Sequence, residues 1–485
     1  MKQQRGPSQE FSRRQFFGQA GCAALGSVSI LSTLMNLKMA GNAAAASLPP
    51  GDDTRSMVCL FLSGGNDSFN MLVPSGTGYA EYQASRSNLA LPKAQLLPLN
   101  LAESAGGLNF GLHPNMPEVQ ELFNGIGGDP NQRRLSFVAN LGTLIQPLTL
   151  AEYDSGDVPV PKALFSHSDQ TDQWQTSLPQ GVRQFTGWAG RAADVLHSRY
   201  NTGKVSMSIS LSGNNLLQTG SSVTQFVITP SGSLTFTGPS DASDPTDPLW
   251  LKNRSLNSLM EQRYTNLLAD SFAGITRDSV QAQRQFQGYF DSFDDSAVRG
   301  FFPVGYLGDS MRAIVKSIAI RKQLGLRRQT FFVSFGGWDH HFELLDAQGG
   351  MLKQLSKLMG GYQKALEALG LANDVITFTA SDFGRTLRSN GRGTDHAWGG
   401  HQMVFGGSVK GGRVHGKFPS LALDGPDDVG YGGRILPSTS VDQYFCEMLQ
   451  WFGVSPSDME YVLPNIRNFY NPASTTPPLG FLKQV

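Results

Sequence analysis

Cysteine, net charge and long apolar segments are all scarce in this sequence. Its 485 residues include 3 cysteines, and 39 lysines and arginines are balanced by 39 aspartates and glutamates. Three cysteines do not make a disulfide framework, and a neutral chain without a basic stripe does not indicate nucleic-acid binding. Since 40% of the residues are hydrophobic, the chain has enough apolar material to bury a large core.

The first 46 residues carry the features of an export signal. Residues 12–17 read S-R-R-Q-F-F, an uncharged and mildly apolar stretch runs to Leu37, and residues 43–46 are all alanine. This order matches a twin-arginine signal followed by a cleavage site, whereas glycines and serines in the apolar stretch disfavour a membrane anchor. We therefore predict a signal peptide over 1–46, the twin-arginine translocase as a partner, a periplasmic or secreted location, and no membrane span after cleavage.

Two apolar runs in the second half of the chain flank a helical pattern. Residues 330–335 (T-F-F-V-S-F) and 375–380 (V-I-T-F-T-A) predict buried strands. Between them, apolar residues recur at the spacing of one helix face: Leu352, Leu355, Met359, Tyr362, Leu366 and Leu369. Gly370 stands where a C-terminal cap belongs. Strand, helix and strand in this order predict a βαβ unit with parallel strands.

Polar residues follow both of these strands. Asp339 and His341 lie in the segment G-G-W-D-H-H, and Asp382, His396 and His401 lie between positions 381 and 401. Because the carboxyl ends of parallel strands meet at one edge of a sheet, where open α/β sheets bind ligands, we expect these residues to converge. Carboxylates and imidazoles together suit a divalent cation, either zinc, manganese, iron or magnesium.

A further buried strand is predicted at 57–62, and Asp67 follows it after a glycine pair. Asp67 can add to the metal site, or it can cap the next helix. With strands expected near 135–140 and 205–211, these runs predict one largely parallel central sheet. We predict a single α/β domain over 47–485, in which residues 213–298 form β and helical insertions.

Several long motifs together resemble one family. They are F-L-S-G-G-N-D-S-F-N-M-L-V-P, S-H-S-D-Q-T-D-Q-W-Q-T, T-G-W-A-G-R-A-A-D, G-G-W-D-H-H, S-D-F-G-R-T and G-T-D-H-A-W-G-G-H. With the export signal, this set resembles the domain-of-unknown-function 1501 family across nearly the whole mature chain. That family is similar to the alkaline phosphatase and sulfatase superfamily. The resemblance implies an α/β, alkaline-phosphatase/sulfatase-like three-layer fold with a central, largely parallel sheet.

The resemblance also implies roles for individual residues. The positions that match or resemble the superfamily's metal ligands are Asp67, Asp339, His341, Asp382 and His396. Asp382 stands where the superfamily usually has an Asp-His pair, but Phe383 replaces the histidine. His401 and His340 are both open as substitutes, so the number of metal ions is open as well.

The superfamily uses a hydroxyl or modified cysteine as its nucleophile, and a loop here offers candidates. Ser166, Ser168 and Thr171 are the hydroxyls, although S-x-S-D also caps helices. His167, between the serines, is a candidate acid or ligand, or it braces the loop. Arg385 either clamps an oxyanion or holds a neighbouring carboxylate.

These features predict an exported, metal-dependent hydrolase that acts on a phosphate or sulfate ester of a small molecule or glycan. The alternative is a non-catalytic exported protein of the same fold that binds a glycan or a protein partner. Metal-assisted hydrolysis of a peptide or carboxylic ester is a third hypothesis. The fold cannot distinguish them, since one fold supports many reactions.

The export signal gives a direct test. Replacing Arg13 and Arg14 together by lysine should keep the precursor in the cytoplasm, because the twin-arginine pair is what the translocase reads. Cell fractionation with antibody detection measures the distribution, and sequencing the exported parent should find a mature N-terminus near Ser47. Unchanged accumulation of the lysine variant outside the cytoplasm would contradict the predicted route.

Overall fold

The computed structural model describes residues 53–181, 184–234 and 244–483. The predicted signal peptide, residues 1–46, lies outside the described residues. The start of the predicted mature domain, residues 47–52, lies outside them too, so the domain boundary stays a prediction.

The described strands vary from two to nine residues in length. They are β1 Arg55–Ser63, β2 Leu72–Pro74, β3 Leu97–Pro98, β4 Phe110–Leu112, β5 Leu135–Gly142, β6 Ser208–Ser210, β7 Phe226–Thr229, β8 Gly232–Ser233, β9 Arg328–Gly336, β10 Val375–Ser381, β11 Gly400–Phe405, β12 Val414–His415 and β13 Thr439–Ser440. The longest, β1 and β9, pair with each other throughout their length.

The described helices are more unequal in length. They are α1 Tyr79–Arg86, α2 Pro117–Asn124, α3 Leu150–Ser155, α4 His167–Thr176, α5 Trp188–Tyr200, α6 Pro248–Glu261, α7 Leu267–Ser292, α8 Ser296–Arg299, α9 Tyr306–Ala319, α10 Leu344–Ala368, α11 Val441–Phe452 and α12 Met459–Val462. Short 3₁₀ turns occupy Ser87–Leu89, Lys93–Gln95, Ile126–Gly128, Pro130–Gln132, Ala372–Asp374 and Ile466–Asn468. None of these helices has the length and apolar character that crossing a membrane requires.

A large mixed sheet forms the centre of the fold. Its strand order is β12-β5-β11-β10-β1-β9-β6-β7-β8, and β13 also pairs with β5. Strands β10, β1, β9, β6 and β7 run parallel to their neighbours within this set, while β11 is antiparallel to β10 and β5. The predicted α/β fold with a central, largely parallel sheet is confirmed, and all five strands predicted for this sheet lie in it.

Helices cover both faces of the sheet. On one face, Val58 and Leu60 of β1 belong to a core cluster that includes residues of α2, α9 and α10. On the other face, Phe61 lines a small cavity with Trp188 and Phe445, whose rings stack with their centroids 4.4 Å apart. A strand buried on both faces must be apolar at every position, which explains the continuous run M-V-C-L-F-L and gives the predicted three layers.

Helix α10 joins β9 to β10 as the sequence predicts. Leu352, Leu355 and Tyr362 on its predicted face are fully buried. Gly370 has φ 68°, a left-handed conformation that glycine adopts without a Cβ clash. Its backbone N–H donates to Glu367 O at 3.0 Å, so one carbonyl group of the last helical turn has a hydrogen-bond donor. This helix therefore ends where β10 must begin.

The strand predicted at 205–211 is shorter in the structure, where β6 covers only Ser208–Ser210. Serine side chains bond the local backbone on both sides of it: Ser206 Oγ accepts from Ser208 N–H at 3.2 Å, and Ser210 Oγ accepts from Ser212 N–H at 3.2 Å. Such bonds compete with a strand ladder. The segment still extends the sheet, since β6 pairs with both β9 and β7.

Asp442 is a fully buried acid at the start of helix α11. The hydroxyls of Ser177 and Ser440 donate to its two carboxylate oxygens at 2.9 and 3.0 Å. Burial is the largest influence and raises the pKa of Asp442 to about 7, although both hydrogen bonds and the charge of Arg191 lower it. The folded protein therefore holds a proton that the unfolded chain releases near pH 4.

This raised pKa predicts how stability depends on pH. The contribution of Asp442 is fully present below about pH 4 and is lost as the pH rises toward about 7, at about 1.4 kcal/mol per pH unit. The unfolding free energy of the parent should therefore fall over this range relative to Asp442→Asn, which cannot ionise. Urea denaturation across this range measures both. A difference between the two proteins that does not change with pH would contradict it.

Candidate metal centre

The register of β1 brings three loops to one edge of the sheet. Leu62 of β1 pairs with Phe335 of β9 on one side and with Ser381 of β10 on the other. Since all three strands are parallel, the segments that follow them leave the sheet at the same level. The loops starting at residues 64, 337 and 382 therefore lie side by side.

Gly64 allows these loops to approach each other closely. It has φ 122°, and a Cβ at this position would lie 2.6 Å from the backbone nitrogen of Asp339. Its N–H donates to Asp382 Oδ1 at 3.0 Å. A larger residue would separate the loops that carry the two aspartates. The glycine pair in S-G-G-N-D thus has a structural role at the site.

The connection from β10 to β11 folds back on itself. Arg385 and His396 face each other in an antiparallel bridge. The N–H of Thr386 donates to Asp395 O at 3.0 Å, and Thr394 N–H donates to His340 O at 3.1 Å. These bonds place the second histidine-bearing segment beside the first, although more than fifty residues separate them in the chain.

Asp339 lies at the centre of the resulting cluster. Its Oδ1 is 2.7 Å from Nη1 of Arg385, 3.1 Å from Nε2 of His341 and 3.3 Å from Nε2 of His396. Its Oδ2 is 3.4 Å from Nε2 of His167. Three imidazoles and one guanidinium therefore surround a single carboxylate.

Burial and charge act in opposite directions on this carboxylate. Burial would raise the pKa of Asp339, but the hydrogen bond and charge of Arg385, helped by His341 and His167, hold it below its usual value. Burial lowers the pKa of His396, and the Arg385 charge acts in the same direction, against the hydrogen bond to Phe165 O. At neutral pH, Asp339 is ionised and His396 is neutral.

Each of the three imidazoles has an acceptor at Nδ1. His167 Nδ1 lies 2.7 Å from Asp382 Oδ2, His341 Nδ1 lies 3.1 Å from Asp395 Oδ1, and His396 Nδ1 lies 2.8 Å from Phe165 O. An imidazole that carries its proton on Nδ1 presents a lone pair at Nε2. The Nε2 atoms of all three rings face Asp339.

Such an arrangement suits a cation. Nε2 of His341 and Nε2 of His396 are 2.9 Å apart, and Nε2 of His167 is buried without a hydrogen-bond partner in the described part of the chain. Ligand atoms of His167, Asp339 and His396 lie within 4.8 Å of one another. Metal-binding histidines characteristically donate Nδ1–H to a carboxylate or carbonyl, so the residues present fit a divalent ion.

His167 lies beside Asp382 and Phe383. Phe383, which stands where the superfamily usually has histidine, packs against the rings of His167 and His396 with centroid distances of 4.7 and 4.6 Å. His167 arrives from the first position of α4 and bonds Asp382 instead. The sequence left His167 open as an acid, a ligand or a brace of its loop; in the structure its Nδ1 lies beside Asp382 and its Nε2 beside Asp339.

Asp67 and His401 lie outside this cluster. Asp67 is buried in an ion pair with Arg86, which also donates to Thr386 O at 3.0 Å and so holds the site loop. His401 is buried between the rings of Phe69 and Phe418, and burial lowers its pKa to about 3. Neither residue is therefore among the side chains that gather around Asp339.

The other predicted catalytic residues are placed differently from one another. Arg385 is fully buried and bonds Asp339, Thr394 and Gly64 O, so it holds a neighbouring carboxylate. Ser166 precedes α4, and its hydroxyl donates to the exposed carboxylate of Asp169.

Two outer residues were absent from the sequence prediction. Asp395 precedes His396 directly, and that adjacency was the only signal for it. Phe165 contributes only its backbone carbonyl, from a residue with φ 72°, and no sequence pattern announces such a contact. Both determine which nitrogen of a histidine faces Asp339.

Comparisons with known proteins support the motif assignment. The model of a family described as Protein of unknown function (DUF1501) matches residues 308–430, the segment that contains Asp339, His341, Asp382 and His396. This match confirms the predicted family resemblance over the segment that carries G-G-W-D-H-H, S-D-F-G-R-T and G-T-D-H-A-W-G-G-H. No curated protein matches the chain.

A solved structure is also similar to the chain. It is the soluble domain of lipooligosaccharide phosphoethanolamine transferase A from Neisseria meningitidis. The two are 11% identical, and the alignment covers 84% of this chain and 90% of the other with a TM-score of 0.25.

The outer acceptors generate a prediction about metal affinity. Asp382→Asn and Asp395→Asn keep the shape of the side chain but remove the charge that orients His167 and His341. Loss of such partners lowers metal affinity about 10–100-fold. Titration of metal-free protein with zinc measures the change, and Asp346→Asn, an exposed change on α10, is the control. Affinity equal to the parent in both site variants would contradict the proposed ligand geometry.

Proposed function

We propose that this chain is an exported, metal-dependent hydrolase of phosphate or sulfate esters. The observation that carries the proposal is the convergence of three Nε2 atoms on Asp339, with each Nδ1 bonded to an outer acceptor. His167, His341, His396 and Asp339 would hold the ion. An imidazole-rich set favours zinc or iron over magnesium. The substrate is a small-molecule or glycan ester.

A bound divalent cation polarises an ester oxygen and stabilises the negative charge that develops on it. The protein's own groups prepare the site for this chemistry. Arg385 keeps Asp339 ionised and fixed in position. Asp382 and Asp395 hold the rings of two histidines, so little reorganisation is needed when the ligand arrives.

Ser166 is the nucleophile of this proposal. Its hydroxyl donates to Asp169, and the preceding residue, Phe165, holds His396 through its carbonyl. As Oγ attacks phosphorus or sulfur, its proton passes to the Asp169 carboxylate, the bond to the leaving alcohol breaks, and that alcohol takes a proton from solvent. Water then attacks the ester of Ser166, releases phosphate or sulfate and restores the hydroxyl, and Asp169 returns its proton to solvent.

Elemental analysis and an activity assay on the protein purified without chelator test this function. We expect bound metal and hydrolysis of an aryl phosphate or aryl sulfate. Asp339→Ala and His396→Ala should lose metal and reduce the rate by about 100-fold or more, since the ion supplies several kcal/mol of charge stabilisation. His415→Gln is the control, because His415 lies on β12 and outside the cluster.

Two outcomes would contradict the proposal. If Asp339→Ala and His396→Ala combined with His167→Ala bind metal as well as the parent, the assigned ligands are wrong. If the parent binds metal but hydrolyses neither class of ester, the hydrolase fails, and the predicted alternative, a binding protein for a glycan or protein partner, becomes the leading hypothesis.

A further inference from the structure

Arg434 lies beside the metal centre in an unusual environment. Its Cζ is 3.8 Å from the ring centroid of Phe165 and 4.3 Å from that of Tyr431. Its Nε donates to His396 O at 3.0 Å. One bond therefore ties the guanidinium to a proposed ligand, and a second residue, Phe165, contacts both Arg434 and His396.

The two aromatic residues that contact the guanidinium both have an uncommon backbone conformation. Phe165 and Tyr431 have φ values of 72° and 59°, a left-handed conformation that is uncommon for bulky side chains. Glycines at 430, 432 and 433 also have positive φ, so the loop is shaped to present Tyr431. Its side chain is 78% exposed although it stacks on Arg434. Strain of this kind concentrates at ligand-binding sites.

The terminal nitrogens of Arg434 have no assigned protein partner. Among the described residues, only its Nε has a hydrogen-bond acceptor, and no carboxylate lies at ion-pair distance from its guanidinium. Arg385 presents the opposite case, because its donors are all directed to Asp339, Thr394 and Gly64. These terminal nitrogens are not among the buried atoms that lack a hydrogen-bond partner, so they reach solvent and are free to donate to a ligand.

We propose that Arg434 binds a tetrahedral oxyanion, phosphate or sulfate, at the rim of the metal centre. The planar fork of a guanidinium matches two oxygens of such a group, and the rings on both sides fix its orientation before the anion arrives. The inference rests on the proposed function for the identity of the ligand, an anionic ester. It assigns that ester's charged group to a residue outside the metal-binding set.

Isothermal titration calorimetry of the purified protein with inorganic phosphate and with sulfate tests the assignment. Arg434→Gln should weaken binding of the anion by about tenfold or more, because charge-assisted hydrogen bonds to it are lost. Arg434→Lys should recover part of the affinity, since lysine keeps the charge but not the fork. The metal content of both variants should equal that of the parent.

Arg388→Gln is the matched control. Arg388 is exposed, and its backbone N–H donates to Gly432 O at 2.9 Å. The variant therefore removes one positive charge close to the loop that carries Arg434. It should bind both anions as the parent does. Equal weakening in Arg388→Gln and Arg434→Gln would indicate diffuse electrostatic attraction and overturn the proposal.

Two further results would also overturn it. Anion binding by Arg434→Gln that equals the parent would exclude the contact. Loss of metal from Arg434→Gln would show that Arg434 only positions His396 through its carbonyl. If no ester is hydrolysed by the parent, the proposed function fails, whereas the anion titration still decides the role of Arg434.

Discussion

The parallel pairing of β1 with both β9 and β10 is the constraint on which the candidate metal centre depends. It sets Ser63 level with Gly336 and Leu62 level with Ser381. A slip of one residue in either pairing would turn every side chain to the opposite face, and a slip of two would move the loops by about 7 Å relative to each other. Burial on both faces of β1 resists either shift, because each strand position is packed.

The chemistry of the site then depends on how charge is distributed around Asp339. Arg385 compensates the carboxylate from the protein side, so the pKa of Asp339 is held low and the oxygen atoms remain available. The outer groups Asp382, Asp395 and Phe165 O take the Nδ1 protons. Metal-binding histidines characteristically have such outer acceptors, so this outer shell fits the candidate metal centre.

The sequence predicted the parts of this arrangement that depend on local patterns. Runs of apolar residues identified the strands, and the position of Asp339 and Asp382 after two parallel strands identified the shared edge. The sequence named His167 as a candidate acid, ligand or brace but could not place it beside Asp339, because α4 reaches the site through an irregular loop and its approach depends on the backbone at Phe165. His401 misled for a related reason: a histidine on an apolar strand close to polar motifs looks like a ligand, yet aromatic rings enclose it.

For Asp67, the sequence supports both a metal ligand and a helix cap, and the contacts of its side chain are needed to assign its role. The resemblance implied a ligand after the first strand, but Oδ2 of Asp67 pairs with Arg86, while its Oδ1 has no hydrogen-bond partner among the described residues. Arg86 also donates to the backbone carbonyls of Thr386 and Leu387. The residue thus contributes to the site by stabilising the loop that carries Arg385.

The two arginines beside the cluster differ in whether their guanidinium donors are already bonded to the protein. This difference determines on which side of the site an anion can bind. Arg385 is fully buried, and its hydrogen bonds run to the protein, so a ligand can bind it only by breaking existing bonds. Arg434 is anchored by its Nε and by two rings, while its terminal nitrogens remain available among the described residues. An anionic ligand therefore meets the available guanidinium on the side of Phe165 and Tyr431. The inner arginine holds the Asp339 carboxylate, and in our proposal the outer one binds the charged group of the ligand.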